Sequence, residues 1–186
     1  MKVIDVIRQS AELLGIDSLV ELIDQNDAEI MAGVSDNEDL KKLFSLTKFA
    51  MQELCTNYCP ILREINFSTT EGKYAISNLP NYIRLVGVKK NGVSVEYKIY
   101  NRDITLAEDG IYTAEYMSYA TVEGLTDSLD FLARFSPDVL VLAVCSYYAV
   151  AHGMFEQFED FHDRYVERAE SLRELRSGTM PMRKWE

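Results

Sequence analysis

The sequence predicts an α+β fold, in which an antiparallel helical bundle of about four helices carries a small inserted antiparallel β unit. Three observations predict it: a helical spacing of apolar residues before Pro60, an alternation of period two around Asn91-Gly92, and an almost wholly apolar segment near Cys145. Helices, then strands, then helices again are typical of this class. The predicted domains are a bundle formed by residues 1–60 and 136–176, an inserted β domain at 61–135 and a flexible C-terminal tail at 177–186.

The composition limits the kinds of partner. The 186 residues carry a net charge of −11, with 5 basic and 11 acidic residues in 1–60 and 8 basic and 10 acidic residues in 61–135. Because no segment is basic, phosphate-driven nucleic-acid binding is disfavoured. No apolar run approaches the roughly 20 residues that cross a bilayer. Charges from Asp5 onward interrupt what would be a signal peptide, so a cytoplasmic protein is expected at synthesis.

Two helices or more are predicted before the β unit. Residues 2–14 carry an apolar stripe that ends at Gly15, a residue suited to a helix C-terminus. Residues 16–34 are ambiguous: SLVELI looks like a short helix and DQNDAEIMAGV like a loop, either a contact loop to a neighbouring subunit or a disordered link. Ser35 and Glu38 form a capping box that begins a long amphipathic helix, which the following proline stops.

In the β unit the apolar period changes to two, which predicts five or six short strands. Two early strands, 61–68 and 73–77, are expected to pair with each other. The turns expected to close hairpins are Glu71-Gly72, Asn91-Gly92 and Asp109-Gly110. The segment is rich in tyrosine. Those rings form either half-buried strand faces, which we favour, or a contact surface for a partner.

Two helices are predicted after the β unit. Ser136-Pro137-Asp138 supplies an N-cap, a proline at the first helical position and an acid in the first turn. The helix at 137–151 is apolar almost all round and is expected to be the central buried helix. After Gly153 a second helix runs to about residue 176. Its packing seam is expected to be Phe155, Phe158, His162, Tyr165, Ala169 and Leu172.

Both histidines lie in AHGMFEQFEDFH, residues 151–162, where Glu159-x-x-His162 has the spacing of a di-iron ligand pair. A di-iron bundle needs a second such motif, but Ala149 stands where the glutamate paired with His152 would be. Glu159 also falls on the predicted solvent flank. We therefore favour a structural His162, with His152 capping the buried helix. The rival interpretation is a metal-binding helical enzyme that uses His152, His162 and nearby carboxylates.

No other residues form a convincing catalytic, cofactor or metal site. Cys145 and His152 are seven residues apart, about 10 Å along a helix, and the cysteine lies in an apolar run. Cys55 and Cys59 are more typical of small buried hydrophobes than of half a metal site. A set of four acidic residues near the predicted central helix does not have the spacing of a calcium-binding loop. These residues are Glu123, Asp127, Asp130 and Asp138. We expect no enzymatic activity and no cofactor.

The overall plan resembles the head–tail adaptor, or connector, proteins of tailed bacteriophages. The matching pieces are a first helix ending in ELLG, a long helix of LKKLFSLTKFAMQEL, a β insertion with YIRLVGVKKNGVSVEYKIYN and EYMSYA, and the corner YYAVAHGMFE before a charged last helix. The corner, from Tyr147 to Glu156, is the most telling piece. The C-terminal part of that family's sequences tends to consist of an Ala/Tyr-rich helix, a Gly-Met/Leu-Phe-Glu corner and a final charged helix.

The resemblance implies a structural protein of a phage or prophage virion, with no catalytic residues. Such adaptors form oligomeric rings, commonly twelvefold, below the portal protein at the head–tail junction. They extend the DNA channel and meet a downstream tail or neck protein. An acidic lining would let DNA pass close by without binding it. A different neck or tail-completion protein of the same virion is the alternative.

The C-terminal segment SGTMPMRKWE leaves the helical pattern. It is expected either to be a disordered tail or to become ordered on a partner. The resemblance favours docking against the portal, with Trp185 as the anchor. The predicted partner-binding residues are Met180, Met182, Arg183, Lys184 and Trp185.

Overall fold

The computed structural model describes residues 1–25, 37–129 and 137–177, with 173–177 described by their backbone alone. Within these ranges the five helices are α1 (Val3–Leu14), α2 (Asp17–Gln25), α3 (Glu38–Asn57), α4 (Asp138–Ala151) and α5 (Phe155–Ser177). The seven strands are β1 (Ile61–Ser68), β2 (Lys73–Ala75), β3 (Tyr82–Lys90), β4 (Val93–Ser94), β5 (Lys98–Tyr100), β6 (Asp103–Thr105) and β7 (Ile111–Ser118). The chain divides into two compact units, Met1–Leu54 with Thr121–Glu186, and Cys55–Ala120.

The chain is mixed α+β, but the predicted antiparallel bundle of about four helices is wrong. α4 and α5 form an antiparallel hairpin, in which Asp138 at the start of α4 bonds Arg168 near the end of α5. α1 packs against α4, and the short α2 packs against α1. The predicted bundle is wrong because α4 is buried on nearly all of its sides. Such a helix takes neighbours around its circumference, whereas a bundle helix presents a single apolar stripe.

The helix ends follow their capping residues. α1 ends as predicted at Gly15, whose φ of 70° lets its N–H reach back to the last turn. α3 begins behind Asn37, whose Oδ1 accepts the N–H of Leu40 at 3.0 Å. Asn37 therefore acts as the N-cap, while Ser35 of the predicted capping box lies outside the described residues. The predicted stop before Pro60 is confirmed, since α3 ends three residues earlier.

The expectation of a central buried helix is confirmed by α4. Pro137 immediately precedes this helix, and its carbonyl accepts the N–H groups of Leu140 and Val141 at 3.0 and 3.2 Å. Ser136, the predicted N-cap, lies outside the described residues. The buried side chains cover every face of the helix and are Val139, Leu140, Val141, Leu142, Ala143, Val144, Cys145, Ser146, Tyr148 and Ala149.

The Cys55–Ala120 unit contains two antiparallel sheets, of four and three strands, where a single unit of five or six strands was predicted. The strand orders are β1-β7-β3-β4 and β2-β6-β5. β7 is central to the larger sheet, because β1 pairs with all eight of its residues on one side and β3 pairs with it on the other. The hairpin predicted at Asn91-Gly92 is confirmed and joins β3 to β4.

The pairing of two strands predicted across Glu71-Gly72 is wrong, and so is the hairpin predicted at Asp109-Gly110. The tight turn at Glu71-Gly72 does form, with φ angles of 55° and 67°, but it closes only an isolated bridge between Thr70 and Lys73. β1 pairs with β7, and β2 pairs with β6, so the strands beside each turn find distant partners. The two turns bond to each other instead: the Gly72 N–H donates to Asp109 Oδ1 at 2.7 Å, and the Thr69 N–H donates to the Gly110 carbonyl at 3.1 Å. These turns mark where the chain passes between sheets.

The tyrosines of this unit mostly serve its core, which was the favoured interpretation. Tyr112 and Tyr116 are buried, and Tyr74, Tyr82 and Tyr97 are partly buried against them. Tilted and stacked ring pairs add specific contacts among these aromatic side chains. The apolar core is completed by Phe67, Leu79, Val88, Ile104, Leu106 and Ala114.

The β5–β6 turn contains a residue in a strained conformation. Asn101 and Arg102 have φ angles of 48° and 67°, and two positive φ angles are the geometry of a type I′ turn, which favours glycine second. We expect Arg102→Gly to raise the free energy of unfolding by about 0.5–1 kcal/mol, because glycine relieves the left-handed strain. Gly92→Ala, at φ 80° in the sister turn, should lower it by a similar amount. Urea denaturation measures both, and a destabilising Arg102→Gly would contradict the assignment.

Candidate functional site

The corner between α4 and α5 holds His152, which ends the buried helix as predicted. Its Nδ1 donates to the carbonyl of Tyr148 at 2.8 Å, and its ring stacks on the Tyr148 ring with centroids 3.9 Å apart. Gly153 then adopts a φ of 71°, and the Met154 N–H donates to the Ala149 carbonyl at 2.9 Å. The imidazole and the left-handed glycine thus satisfy carbonyls that the helix end leaves free.

His162 lies on α5, half-buried beside α4. Its Nδ1 is 3.5 Å from Ser146 Oγ, and its ring stacks on Phe158 with centroids 5.1 Å apart. The Tyr165 ring lies 6.2 Å away on the other side. Glu159, the expected partner in the di-iron spacing, is exposed. His162 is therefore held by one hydroxyl and by aromatic stacking.

The predicted seam of α5 is partly wrong. In the part of α5 whose side chains are described, up to residue 172, the buried residues are Phe161, Tyr165 and Ala169, which follow each other at intervals of four. Phe155, expected in the seam, is 66% exposed. It is the first residue of α5 and lies at the turn, where α4 has already ended. The other predicted members flank the buried line or lie in it: Phe158, His162, Tyr165, Ala169 and Leu172.

The metal hypothesis depends on clustered ligands. Within 1–25, 37–129 and 137–172, no three or more His, Cys, Asp or Glu side chains come together in a way that could hold a metal ion. His152 and His162 instead make the helix-end and stacking contacts just described. The geometry of the corner is that of a packed helical turn.

A polar cluster that sequence reasoning missed joins α3 to the hairpin. Glu53 Oε2 accepts hydrogen bonds from the hydroxyls of Tyr147 and Tyr165, the latter at 2.8 Å. Near the other end of α3, Asp39 Oδ1 accepts a hydrogen bond from the hydroxyl of Tyr148 at 3.2 Å. Burial, and then the Asp39 charge, raise the pKa of Tyr148. Two adjacent tyrosines in an otherwise apolar helix were the available signal, because buried hydroxyls require partners.

The cysteines are placed as packing residues. Cys145 is buried in α4, and its thiol donates to the Ser10 carbonyl across 3.7 Å. Burial raises the pKa of Cys145 to about 12, so its thiolate is scarce at neutral pH. Burial also raises the pKa of Cys55, while Cys59 is half-buried.

Among the described acidic residues before and at the start of α4, Glu123 and Asp127 share one loop and Asp138 has a different partner. Asp127 closes a loop by accepting the N–H groups of Glu123 at 2.7 Å and Gly124 at 3.1 Å. Asp138 instead pairs with Arg168 at 3.1 Å. Asp130 lies outside the described residues. The Asp127 loop is structural, since its backbone also accepts the N–H of Val3 at the start of α1.

The Asp127 loop should make stability depend on pH. The Glu123 amide, and then the Gly124 amide, lower the pKa of Asp127 below its ordinary value of about 3.9. A lowered pKa gives stability that is present above the ordinary value and is lost as the pH falls through the folded value. We expect Asp127→Asn to melt at a lower temperature near neutral pH. Between neutral and roughly pH 3 its melting temperature should fall less than that of the wild type. Circular dichroism melts measure both, and equal falls would contradict this role.

A cleft of about 450 Å³ lies beside α1. Its main polar group is Arg8, with Lys2 and Asp5 nearby. Arg8 already donates to Asp24 at 2.8 Å and to Glu12 at 2.7 Å, and these carboxylates raise the pKa of the guanidinium. The guanidinium of Arg8 is therefore committed to ion pairs with carboxylates of the same unit.

The remaining predicted site residues are Met180, Met182, Arg183, Lys184 and Trp185, and all lie outside the described residues. Comparison of the sequence with protein-family models and with curated proteins found no match. None of the helices in the described part of the chain combines the length and apolarity needed to cross a membrane.

Proposed function

We propose that this chain is a non-enzymatic structural subunit of a tailed-phage or prophage virion. It forms a ring, twelvefold in the family it resembles, below the portal protein at the head–tail junction. The ring extends the DNA channel and meets a tail or neck protein on its far side. Before assembly the subunit resides in the host cytoplasm.

The observation that carries the proposal is the α4–α5 corner. Its sequence, from Tyr147 to Glu156, resembles the closing corner of head–tail adaptors. The two histidines that suggested an enzyme make structural contacts there, His152 with the end of α4 and His162 with aromatic rings. Both groups are thus accounted for by packing, which favours the structural class over the metal-enzyme class.

The surface charge supports passage of DNA without binding. Beyond the corner, α5 exposes a row of carboxylates: Glu156, Glu159, Asp160, Asp163, Glu167 and Glu170. The nearby cations Arg164 and Arg168 are paired with Asp160 and Asp138. Because phosphate contacts supply most non-specific affinity for DNA, such a face keeps proximity to DNA transient.

Portal binding tests the proposal. Rings of the portal protein encoded in the same genome are sedimented with increasing amounts of this protein. We expect saturable co-sedimentation, with one adaptor copy per portal subunit. A genome without a portal gene, or portal rings that carry no added protein at saturation, would contradict the proposal. A neighbouring gene order of portal, capsid and then this gene distinguishes an adaptor from another neck protein.

The C-terminal tail should contribute to that binding. We expect a chain ending at Arg176 to bind portal rings about tenfold more weakly, because it lacks the aromatic anchor Trp185. Trp185→Ala should reproduce most of the loss, while Glu186→Gln, next to the anchor, should not. Undiminished affinity of the truncated chain would show that the tail is not a portal contact.

A further inference from the structure

The turn between β3 and β4 contains Asn91-Gly92, the one Asn-Gly dipeptide of the sequence, and both residues are exposed. An asparagine before glycine is prone to succinimide formation, because glycine has no side chain to hinder its own backbone nitrogen. At Gly92 no described atom lies within 4 Å of the position that a side chain would occupy. Among the described residues no hydrogen-bond partner holds the Asn91 side chain. The dipeptide therefore has the space that this reaction requires.

A second dipeptide of related chemistry, Asp109-Gly110, provides the contrast within the same unit. The carboxylate of Asp109 accepts the N–H of Gly72 at 2.7 Å. The N–H of Gly110, which would supply the attacking nitrogen, donates to Thr69 Oγ1 at 3.0 Å. The fold therefore holds both groups that would have to react at this second turn.

The β3–β4 hairpin has to open before the dipeptide can react. The φ angles of 53° and 80° at Asn91 and Gly92 are those of a type I′ turn, and ring closure requires rotation of the backbone between these two residues. β4 has only two residues, both exposed, so its separation from β3 breaks few contacts. Beyond β4 the chain is held again, because the Val95 N–H donates to the Val88 carbonyl at 2.9 Å and Val95 packs against the core. The turn can therefore open locally.

We propose that Asn91 is a site of spontaneous deamidation that proceeds through local opening of the β3–β4 hairpin. The backbone nitrogen of Gly92 loses its proton and attacks the side-chain carbonyl carbon of Asn91. A new N–C bond closes a five-membered succinimide, and the side-chain nitrogen leaves as ammonia. Water then adds to one of the two ring carbonyl carbons and breaks its bond to the ring nitrogen. One water is consumed, one ammonia is released, and position 91 becomes an aspartate or an isoaspartate.

The reaction changes both the turn and the charge of the Cys55–Ala120 unit. In the isoaspartate product the main chain runs through the former side chain, which adds one carbon to the turn. A two-residue type I′ loop matches the strands on either side of it, so we expect the added carbon to separate β4 from β3. Either product also adds one negative charge to a unit whose acidic and basic residues are equal in number. The inference goes beyond the adaptor role and does not depend on it.

Peptide mapping by mass spectrometry tests the inference on the full chain, incubated at mildly alkaline pH both folded and unfolded in urea. Protection at each dipeptide is the rate in urea divided by the rate in the folded chain, which cancels the different intrinsic rates of asparagine and aspartate. We expect protection of only about tenfold at Asn91, which corresponds to a local opening of about 1.4 kcal/mol. At Asp109, where both groups are held, protection should be at least about a hundredfold.

A variant identifies the attacking nitrogen. Gly92→Ala places a methyl group beside that nitrogen and should slow deamidation of Asn91 in urea, where the effect of the variant on folding plays no part. Equal protection at Asn91 and Asp109 overturns the inference, and so does a folded chain that remains unmodified when the unfolded chain has reacted completely. An undiminished rate in the Gly92→Ala chain in urea would contradict ring closure through this nitrogen. None of these results bears on whether portal rings bind the protein.

Discussion

Leu140→Ala is expected to lower the free energy of unfolding by about 2–5 kcal/mol, the largest effect of any substitution considered. Leu140 is fully buried in α4, the helix that is enclosed on nearly every side. Truncation removes apolar burial and leaves a cavity that the neighbouring helices cannot fill. Urea denaturation followed by far-UV circular dichroism measures the change.

Val150→Ala is the matched control, because Val150 lies on the same helix with 43% of its surface exposed. That substitution should change the free energy of unfolding by less than about 0.5 kcal/mol. If Leu140→Ala were as mild as Val150→Ala, α4 would not be the central element of the helical unit.

Glu53→Ala is expected to lower the free energy of unfolding by about 2–4 kcal/mol. Its carboxylate accepts the hydroxyls of both Tyr147 and Tyr165, and Tyr165 is only 1% exposed. Removing the acceptor takes this partner from both phenolic donors, at about 1–3 kcal/mol for a fully buried group such as Tyr165 and less for the half-buried Tyr147. The same denaturation experiment applies.

A mutant cycle separates this mechanism from a loss of packing. In the Tyr147→Phe/Tyr165→Phe background no hydroxyl is left to satisfy, so Glu53→Ala should there be much less destabilising. Glu53→Gln keeps an acceptor oxygen and should lose about 1 kcal/mol or less. Equal effects of Glu53→Ala in both backgrounds would mean that the carboxylate does not act through these hydroxyls.

Helix positions could be read from the sequence because their signals are local. A stripe that ends at Gly15, an apolar run after Pro137 and a helix break at Gly153 each act within one or two turns. The Asn91-Gly92 hairpin could be read for the same reason, because a type I′ turn fixes the strands on both sides.

The arrangement of helices and strands could not be read in the same way. β1 pairs with β7, which lies some fifty residues further along the chain, and not with the neighbouring β2. β7 is the strand whose eight residues match the length of β1. Likewise the apolar pattern of α4 shows burial but not which helices enclose it. The exposure of Phe155 was missed because its spacing matches the predicted seam through Phe158 and His162, whereas the observed line of buried residues begins at Phe161.

The same difference between local signals and long-range contacts applies to the candidate site. The role of His152 followed from its position at a helix end, and the structure places it there. The Glu53 cluster joins residues more than ninety positions apart, so only the need of Tyr147 and Tyr148 for partners indicated that such a contact exists.

Negative-stain imaging of portal rings mixed with excess protein tests the proposed role most directly. The adaptor proposal predicts a new layer of density on one end of the portal ring, with the same rotational symmetry and a continuous central channel. Portal particles of unchanged length and mass, at protein concentrations that saturate any specific contact, would contradict it.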